Sequence, residues 1–244
     1  LGGKKPNAFT IAAFRSRIQD VNDGTVLGKQ ITNGLSVSLG TRLKKPDDFF
    51  IVQAAANYYG YKLDNFSNRY FVNNEALDSG KFSNLNFKID ISRNSINQPV
   101  FPTGGARVEA SLQFTPPYSL FRKDNNFEGK SIAEKYKLIE YHKWKVTIDW
   151  YQSLGKSKLV LRGAAKFGFL GTYNKKVGIT PFERFQVGGN GIPSNVTLFG
   201  TDVIAHRGFE GDYSTSGGDP IYNKFLLELR YPFSLNPSAT IYGL

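Results

Sequence analysis

Apolar and polar residues alternate with period two along most of this chain, and this alternation constrains the fold more than any other feature. Because successive side chains of a β-strand point to opposite faces, such a segment predicts a strand with one apolar and one polar face. The clearest example is segment 106–114, with four apolar residues on one face and four polar residues on the other: Val108, Ala110, Leu112 and Phe114 against Arg107, Glu109, Ser111 and Gln113.

The same alternation recurs at intervals along the chain. It is clear in segments 84–92, 144–151, 158–169 and 223–231, weaker near 8–18, 34–44 and 49–61, and begins again at Ala239. The 20 Phe, 13 Tyr, 25 Gly and 11 Pro residues are scattered, which favours many short strands joined by turns over long helices. The sequence therefore predicts an all-β fold with eight full strands and a ninth begun.

Composition argues against several kinds of site. The absence of Cys excludes disulfides and thiolate metal sites, and two histidines, His142 and His206, are too few for a multi-histidine metal site. No Gly-x-Ser-x-Gly nucleophile motif occurs. The net charge of +11 is spread along the chain instead of being clustered, so it does not indicate nucleic-acid binding. We expect no metal, no cofactor, no nucleic-acid partner and no enzymatic activity.

The connections between the predicted strands decide between a soluble β-sandwich and a membrane barrel. Short connections alternate with long ones: 44–48, 98–105, 153–156 and 232–238 against 19–33, 62–80, 118–141 and 172–221. An up-and-down outer-membrane barrel has short turns at one end and long loops at the other, whereas a soluble domain seldom tolerates a structureless connection of about 50 residues. We therefore predict a transmembrane antiparallel β-barrel whose apolar face contacts lipid and whose polar face lines a wet lumen.

Nine strands form an odd and unclosed set. Bacterial single-chain barrels have even strand numbers, and an open sheet edge in hydrocarbon leaves backbone groups unpaired. The chain also begins at Leu1 with neither an initiator Met nor a signal peptide. We expect the remaining strands to lie beyond both ends and interpret the chain as an internal piece of a longer protein.

Two motifs occur in connections of the appropriate kind. The long connection contains Pro181-Phe182-Glu183-Arg184-Phe185, then Gly188-Gly189, then Ala205-His206-Arg207-Gly208-Phe209. A short connection contains Phe101-Pro102-Thr103-Gly104-Gly105-Ala106-Arg107. Together they resemble the POTRA-barrel family of outer-membrane insertases and translocases. In that family a long sixth extracellular loop carries Arg-Gly-Phe or Arg-Gly-Tyr, and a periplasmic turn reads Phe-Pro-Thr-x-Gly.

The resemblance covers nearly the whole chain in strand order. It implies about strands five to thirteen of a sixteen-stranded barrel, so that 1–244 is one partial barrel domain with 172–221 as a long loop folded into the lumen. The implied function is the folding and insertion of β-barrel proteins into the bacterial outer membrane without nucleotide hydrolysis. The implied partners are unfolded outer-membrane proteins, accessory assembly subunits, lipid and lipopolysaccharide. The family's POTRA domains and its lateral gate, formed by the first and last strands, fall outside the chain.

The resemblance implies that the Arg-Gly-Phe tip anchors the loop. Arg207 offers a planar fork of donors suited to a carboxylate. Gly208 allows the backbone to turn sharply or to approach the wall closely, and we expect Phe209 to fill an apolar niche. Gly188 and Gly189 are interpreted as flexible loop backbone, because no strand and helix flank them as a nucleotide site requires.

Glu228 is the predicted partner of Arg207. The alternation of its strand places it on the lumen face, and the family's glutamate occupies the matching position. In the alternative interpretation, Arg207 is a solvated loop cation and Glu228 pairs with Lys224 or Arg230.

Two other functions fit a barrel with an inward loop. A related translocator would move polypeptides through its lumen, and a diffusion porin would use the loop as a constriction. An outer-membrane enzyme is the third alternative, and it would need a catalytic constellation elsewhere in the full chain.

Overall fold

The computed structural model of the chain describes residues 7–66, 70–72, 75–121, 127, 129–155, 158–191, 200–209, 217–235 and 238–243. The elements are β1 Asn7–Asn22, β2 Thr25–Arg42, β3 Phe50–Asp64, β4 Phe71–Val72, β5 Glu75–Ala76, β6 Gly80–Asn94, β7 Gly104–Phe114, α1 Tyr118–Phe121, α2 Ile132–Lys135, β8 His142–Ser153, β9 Val160–Gly171, β10 Phe185–Val187, β11 Asp202–Ile204, β12 Ile221–Leu235 and β13 Ser238–Gly243. Among the described residues, no helix is long and apolar enough to cross a membrane.

Nine of these strands form one sheet in the order β1-β2-β3-β6-β7-β8-β9-β12-β13, and every neighbouring pair is antiparallel. Each strand predicted from the alternation is present, so the all-β barrel-type prediction is confirmed. A sandwich is excluded because the long strands form a single sheet. In the part of the chain that the structure describes, the sheet is open, with β1 and β13 at its edges.

The predicted long connection at 19–33 is wrong. β1 continues to Asn22 and β2 starts at Thr25, so only Asp23 and Gly24 separate them. Both turn residues have positive φ, 46° and 76°, as a two-residue hairpin of the type I′ class requires. Asp-Gly is a strong signal for such a turn, because both residue types tolerate the left-handed region. The first hairpin therefore extends regular pairing almost to its tip.

The two faces of the sheet differ as the alternation predicts. On the apolar face, Phe87, Val108 and Leu227 are 38%, 39% and 68% exposed. Such a broad exposed apolar surface requires a nonpolar environment, here the lipid. Lys88 and Glu109 border a cavity of about 390 Å³ on the opposite, polar face. A wet interior on that side explains why charged residues recur at mid-strand positions.

The long connections cover one end of the polar face with an aromatic core. Residues from the β3–β6, β7–β8 and β9–β12 connections pack there against strand residues, and the largest buried side chains include Tyr61, Phe66, Tyr70, Phe82, Tyr136, Tyr141, Phe182 and Phe185. The Tyr70 hydroxyl donates to Gln30 Oε1 at 3.1 Å, and the Tyr136 hydroxyl donates to the Val177 carbonyl at 2.9 Å. Because the buried hydroxyls of Tyr70 and Tyr136 have hydrogen-bond partners, this end of the interior is packed as a specific core.

Neighbouring alanines on β3 test the assignment of the two faces. Ala54 pairs with Leu39 and Ile89 on the apolar face, whereas Ala55 borders a cavity on the polar face. We expect Ala54→Arg to lower the free energy of unfolding of the whole protein in lipid vesicles by roughly 2–4 kcal/mol. Ala55→Arg should cost less than about 1 kcal/mol, because its guanidinium stays hydrated. Equal losses in urea titrations would contradict the assignment.

Candidate functional site

The β9–β12 connection lies against the polar face of the sheet. Its residue Phe182 is fully buried, and its ring lies 5.2 Å from Tyr61, 4.5 Å from Tyr70 and 5.2 Å from Phe82, measured between ring centroids. Phe185 is also fully buried, with its ring 4.8 Å from that of Tyr222 on β12. Two aromatic side chains thus attach the first half of the connection to the wall.

Backbone hydrogen bonds hold the connection together internally. β10 and β11 form a parallel pair, and the backbone N–H groups of Phe185 and Asp219 donate to each other's carbonyls at 2.9 and 2.7 Å. The first, middle and last described parts of the connection therefore meet at β10. Residues 192–199 and 210–216 lie outside the described ranges.

A cluster of buried charges joins the connection to β8. Lys143 is 2% exposed, and its Nζ lies 2.8 Å from an Asp202 carboxylate oxygen and 3.4 Å from Oε2 of Glu183. Lys145, two residues further along the same face, donates to Asp202 at 3.1 Å. Asn84 on β6 donates to the other Glu183 oxygen at 3.2 Å. We name Lys143, Lys145, Glu183 and Asp202 the loop clamp.

The two carboxylates of the loop clamp have opposite pKa shifts. Burial raises the pKa of Glu183 above its usual value, and Lys143 only partly counteracts this effect. Burial would also raise the pKa of Asp202, but Lys143 and Lys145 outweigh it, and the pKa is lowered. Asp202 therefore stabilises docking above the ordinary aspartate pKa, and this contribution is lost as the pH falls through the lowered value. Because the pKa of Glu183 is raised, its contribution to the stability of docking is largest at low pH. This contribution is lost as the pH rises through the raised pKa.

Glu183 has a strained backbone. Its φ of 64° lies in the left-handed region, which costs a residue with a Cβ about 1–2 kcal/mol. The bonds of its carboxylate to Lys143 and Asn84 hold this conformation in place. Gly200 packs directly against the same carboxylate, and its carbonyl accepts a hydrogen bond from Lys143 at 3.4 Å.

The Arg-Gly-Phe tip is bonded to the two loop glycines. The Gly189 N–H donates to the Phe209 carbonyl at 2.8 Å, and the Gly189 carbonyl accepts from His206 at 3.2 Å. The neighbouring Gly188 N–H donates to Ile204 at 2.9 Å. Gly188 and Gly189, predicted to be flexible backbone, are thus hydrogen-bonded to the segment that carries the motif.

The motif residues themselves differ partly from expectation. Gly208 has a φ of 82° and open space where a Cβ would stand, so it serves the sharp turn and not a close approach to the wall. Phe209 is 64% exposed, and its ring packs edge-on against His206 at 4.4 Å instead of filling an apolar niche. The Phe209 ring therefore packs within the tip itself, against His206.

Glu228 lies in a network of arginines on the polar face. It is 4% exposed, and its carboxylate accepts hydrogen bonds from Arg162 at 3.0 Å and from Arg230 at 2.7 Å. Arg162 also bonds Asp149 at 2.6 Å. Arg207 and Glu228 border the same cavity of about 450 Å³. The Arg230 pair matches the alternative interpretation, and the pair between Arg207 and Glu228 stays a prediction.

Lys224 on β12 is hydrogen-bonded to the segment that carries the tip. It lines the same cavity, and its Nζ donates to the carbonyl of Ala205, two residues before Arg207. The tip segment is therefore attached to β12 by a lysine and to the first half of the connection by Gly189.

The predicted periplasmic turn is closed by hydrogen bonds and by two residues with positive φ. Phe101 has a φ of 54°, and Pro102 is buried. The Asn97 side chain accepts hydrogen bonds from the backbone N–H groups of Thr103 at 3.1 Å and Gly104 at 3.2 Å. Gly105 has a φ of 99°, and a Cβ there would overlap the Ser95 carbonyl. Phe101 and Gly105 thus have a conformational role in the turn, and Asn97, which the motif does not include, bonds the backbone of Thr103 and Gly104.

Sequence reasoning missed the loop clamp. The alternation of segment 144–151 predicts Lys145 on the polar face, and extending it by one residue would have placed Lys143 there too. Their carboxylate partners come from a connection whose path no local pattern specifies. The position of Glu183 between Phe182 and Phe185 is the one local signal that could have indicated its burial.

A sheet with an apolar outer face, a polar inner face and long connections packed on the inner face is the wall of a transmembrane β-barrel. The sequence model of the Omp85 superfamily domain matches residues 5–243. The chain therefore belongs to the Omp85 superfamily, a group of outer-membrane β-barrel proteins.

Solved structures with a similar fold include that of a BamA protein. The crystal structure of BamA from Haemophilus ducreyi lacking POTRA domains 1–3 matches with a TM-score of 0.58 and 16% sequence identity. The match covers 93% of this chain but 42% of that one, so the chain spans less than half of its length. No curated protein sequence matches the chain.

The loop clamp predicts a specific effect of removing one carboxylate. We expect Asp202→Asn to weaken docking of the β9–β12 connection by on the order of 2 kcal/mol, because Lys143 stays buried with Glu183 as its remaining carboxylate. The cost is below that of breaking a fully buried pair, because Asp202 is partly exposed. Proteolytic cleavage within 172–220 should become about thirtyfold faster. Asp90→Asn is the matched control, since Asp90 is equally exposed at 31% and its ion pair, with Lys88 at 2.8 Å, lies within the strand β6. Similar cleavage of both variants would contradict the clamp.

Two adjacent glycines test the turn. Gly105→Ala should lower the free energy of unfolding by roughly 1–3 kcal/mol, because alanine is strained at this φ and its methyl group meets Ser95. Gly104→Ala should change it by less than about 0.5 kcal/mol, since a Cβ at Gly104 meets open space. Urea titration followed by tryptophan fluorescence would measure both. A neutral Gly105→Ala would show that the turn is not rigid.

Proposed function

We propose that this chain is part of the central barrel of an outer-membrane protein assembly factor. In this function the protein folds and inserts other β-barrel proteins into the bacterial outer membrane and uses no nucleotide hydrolysis. The observation that carries the proposal is the attachment of the β9–β12 connection to the polar face by the loop clamp, with the Arg-Gly-Phe tip beside the Glu228 network. Membership of the Omp85 superfamily supports it.

The arrangement favours folding of substrate strands at the barrel wall over conduction of solutes through the lumen. A connection of about 50 residues that is fastened to β8 and β12 occupies interior volume that a diffusion porin would leave for solutes. The substrates would then be unfolded outer-membrane proteins, whose strands gain hydrogen-bond partners only when they pair with another sheet edge or with each other. Accessory assembly subunits, lipid and lipopolysaccharide are the further partners that we propose.

The role proposed for Arg207 is to hold the tip over the arginine and glutamate network. Arg207 and Glu228 border one cavity, and Arg162 and Arg230 already contact Glu228. A planar fork of donors can join such a network through several oxygens, which a lysine cannot do. The tip would thereby keep the interior in one arrangement while substrates fold at the wall.

Reconstitution of the whole protein tests the proposal. We expect Arg207→Ala to slow the folding of an unfolded barrel substrate into proteoliposomes by on the order of tenfold, which corresponds to the loss of an interaction worth about 1.4 kcal/mol. Lys176→Ala removes an exposed cation from the same connection and should leave the rate unchanged. Folding would be followed by the shift of the substrate band on unheated gels.

Other outcomes would separate the competing functions. An unchanged rate for Arg207→Ala would remove the motif from the function. Substrate recovered inside the liposomes instead of in their membrane would indicate a translocator. Steady, large single-channel openings of the intact protein would indicate a porin. A double-mutant cycle of Arg207→Ala with Glu228→Gln would measure whether these two residues are coupled.

A further inference from the structure

Four basic residues line the apolar face of the sheet at the end where the long connections lie. The strand register places Arg17, Ile31, Lys62 and Lys81 side by side on β1, β2, β3 and β6. Arg15 points to the same side two residues before Arg17. We name Arg15, Arg17, Lys62 and Lys81 the basic row.

The basic row faces away from the polar interior. Gln30 and Thr32, the neighbours of Ile31 in sequence, are 0% and 1% exposed on the opposite face. Lys62 and Lys81 are exposed. Next to the row, the same face continues with exposed apolar side chains on the same strands: Leu35, Val37 and Leu39 on β2, and Phe87, Ile89 and Ile91 on β6. The row therefore borders the band that contacts lipid.

Strand length gives the level of the row in the membrane. On β6, Lys81 and Arg93 lie twelve positions apart, which is about 40 Å along a strand. At a typical barrel tilt near 40°, this corresponds to about 30 Å along the membrane normal, the thickness of the hydrocarbon core. Arg93 pairs with Asp47 at the end with short turns. The basic row consequently lies where the headgroups of the opposite leaflet begin.

Among the described residues, the charges of the row are only partly balanced within the sheet, where Asp64 attracts Lys62. Lys62 and Lys81 are directly opposite each other, and like charges in this position destabilise a strand pair. Asp64, a carboxylate in the adjacent register position, is bonded to Lys29 at 2.9 Å. An anion between the two lysines would remove their repulsion, and positive side chains at this depth attract anionic headgroups.

We propose that the basic row binds the phosphate groups of an anionic lipid in the leaflet on the side of the long connections. The phosphates would accept from Lys62, Lys81 and Arg17, while the acyl chains would lie along the apolar band below. This partner matches both parts of the surface, whereas a soluble polyanion would use only the charges. The proposal rests on the membrane orientation and not on the assembly function.

The test compares two double variants of the whole protein in bilayer nanodiscs. Lys62→Gln with Lys81→Gln removes two charges of the row. Lys44→Gln with Lys45→Gln removes two exposed charges at the end with short turns. One set of nanodiscs contains phosphatidylcholine alone and the other also contains lipid A, a glycolipid with phosphate monoesters. Thermal unfolding and lipid binding by native mass spectrometry are measured, with an additional arm of inorganic phosphate.

We expect lipid A to raise the unfolding temperature of the unmodified protein and of the Lys44/Lys45 variant. The increase should be much smaller for the Lys62/Lys81 variant. The affinity of the Lys62/Lys81 variant for lipid A should fall by at least about tenfold. In phosphatidylcholine alone this variant should be as stable as the unmodified protein or more stable, because a repulsion has been removed.

Three results would overturn the proposal: equal destabilisation of the Lys62/Lys81 variant in both bilayers, equal loss of lipid A binding by both variants, or the same stabilisation by inorganic phosphate. Substrate-folding rates of the Lys62/Lys81 variant in phosphatidylcholine bear only on the assembly function, so failure of that function would be recognised separately.

Discussion

A lysine that is 2% exposed must keep an anion beside it, and in this protein the anion comes from a connection and not from the wall. Breaking such a pair leaves a charge in a medium that solvates it poorly, at a cost of several kcal/mol. Lys143 therefore couples the stability of the barrel wall to the docking of the β9–β12 connection. Its contact with the face of the Phe185 ring, 4.9 Å from Nζ to the centroid, links the same charge to the aromatic core.

The loop clamp and the aromatic core lie at one end of the interior. The cavity beside Arg207 is bordered instead by strand residues that are mostly cationic. There the wall contributes Arg162, Lys166, Lys224 and Arg230 against the single glutamate Glu228. A surplus of cations in a cavity favours acceptor groups, and the backbone carbonyl of Ala205 is one that the connection supplies to Lys224. The tip is therefore fastened by carbonyl groups at its base, while its side chains remain beside a charged and hydrated space.

Local sequence patterns predicted much of the fold because each strand residue experiences one of only two environments. Phe87 and Lys88 could be assigned to opposite faces from their parity alone. The Asp23-Gly24 hairpin could also have been predicted, since its residue types match the turn, but a long connection was predicted at 19–33 instead. The loop clamp was not predictable in this way. Glu183 and Lys143 are 40 residues apart, and their meeting depends on the path of an irregular connection.

The same limit explains why the motif residues were found but their partners were not. Arg207, Gly208 and Gly189 were identified through the resemblance of their motifs to a known family. The bond between Gly189 and Phe209, in contrast, follows from how two distant parts of one connection fold together. Glu228 was placed correctly on the polar face by parity, but which arginine it contacts depends on side-chain positions across three strands. The register aligns Arg162 directly with Glu228, so the wall itself supplies the nearest guanidinium. An anchoring role for Arg207 must therefore act on a carboxylate that the wall already neutralises, which makes the interaction a shared network and not an isolated ion pair.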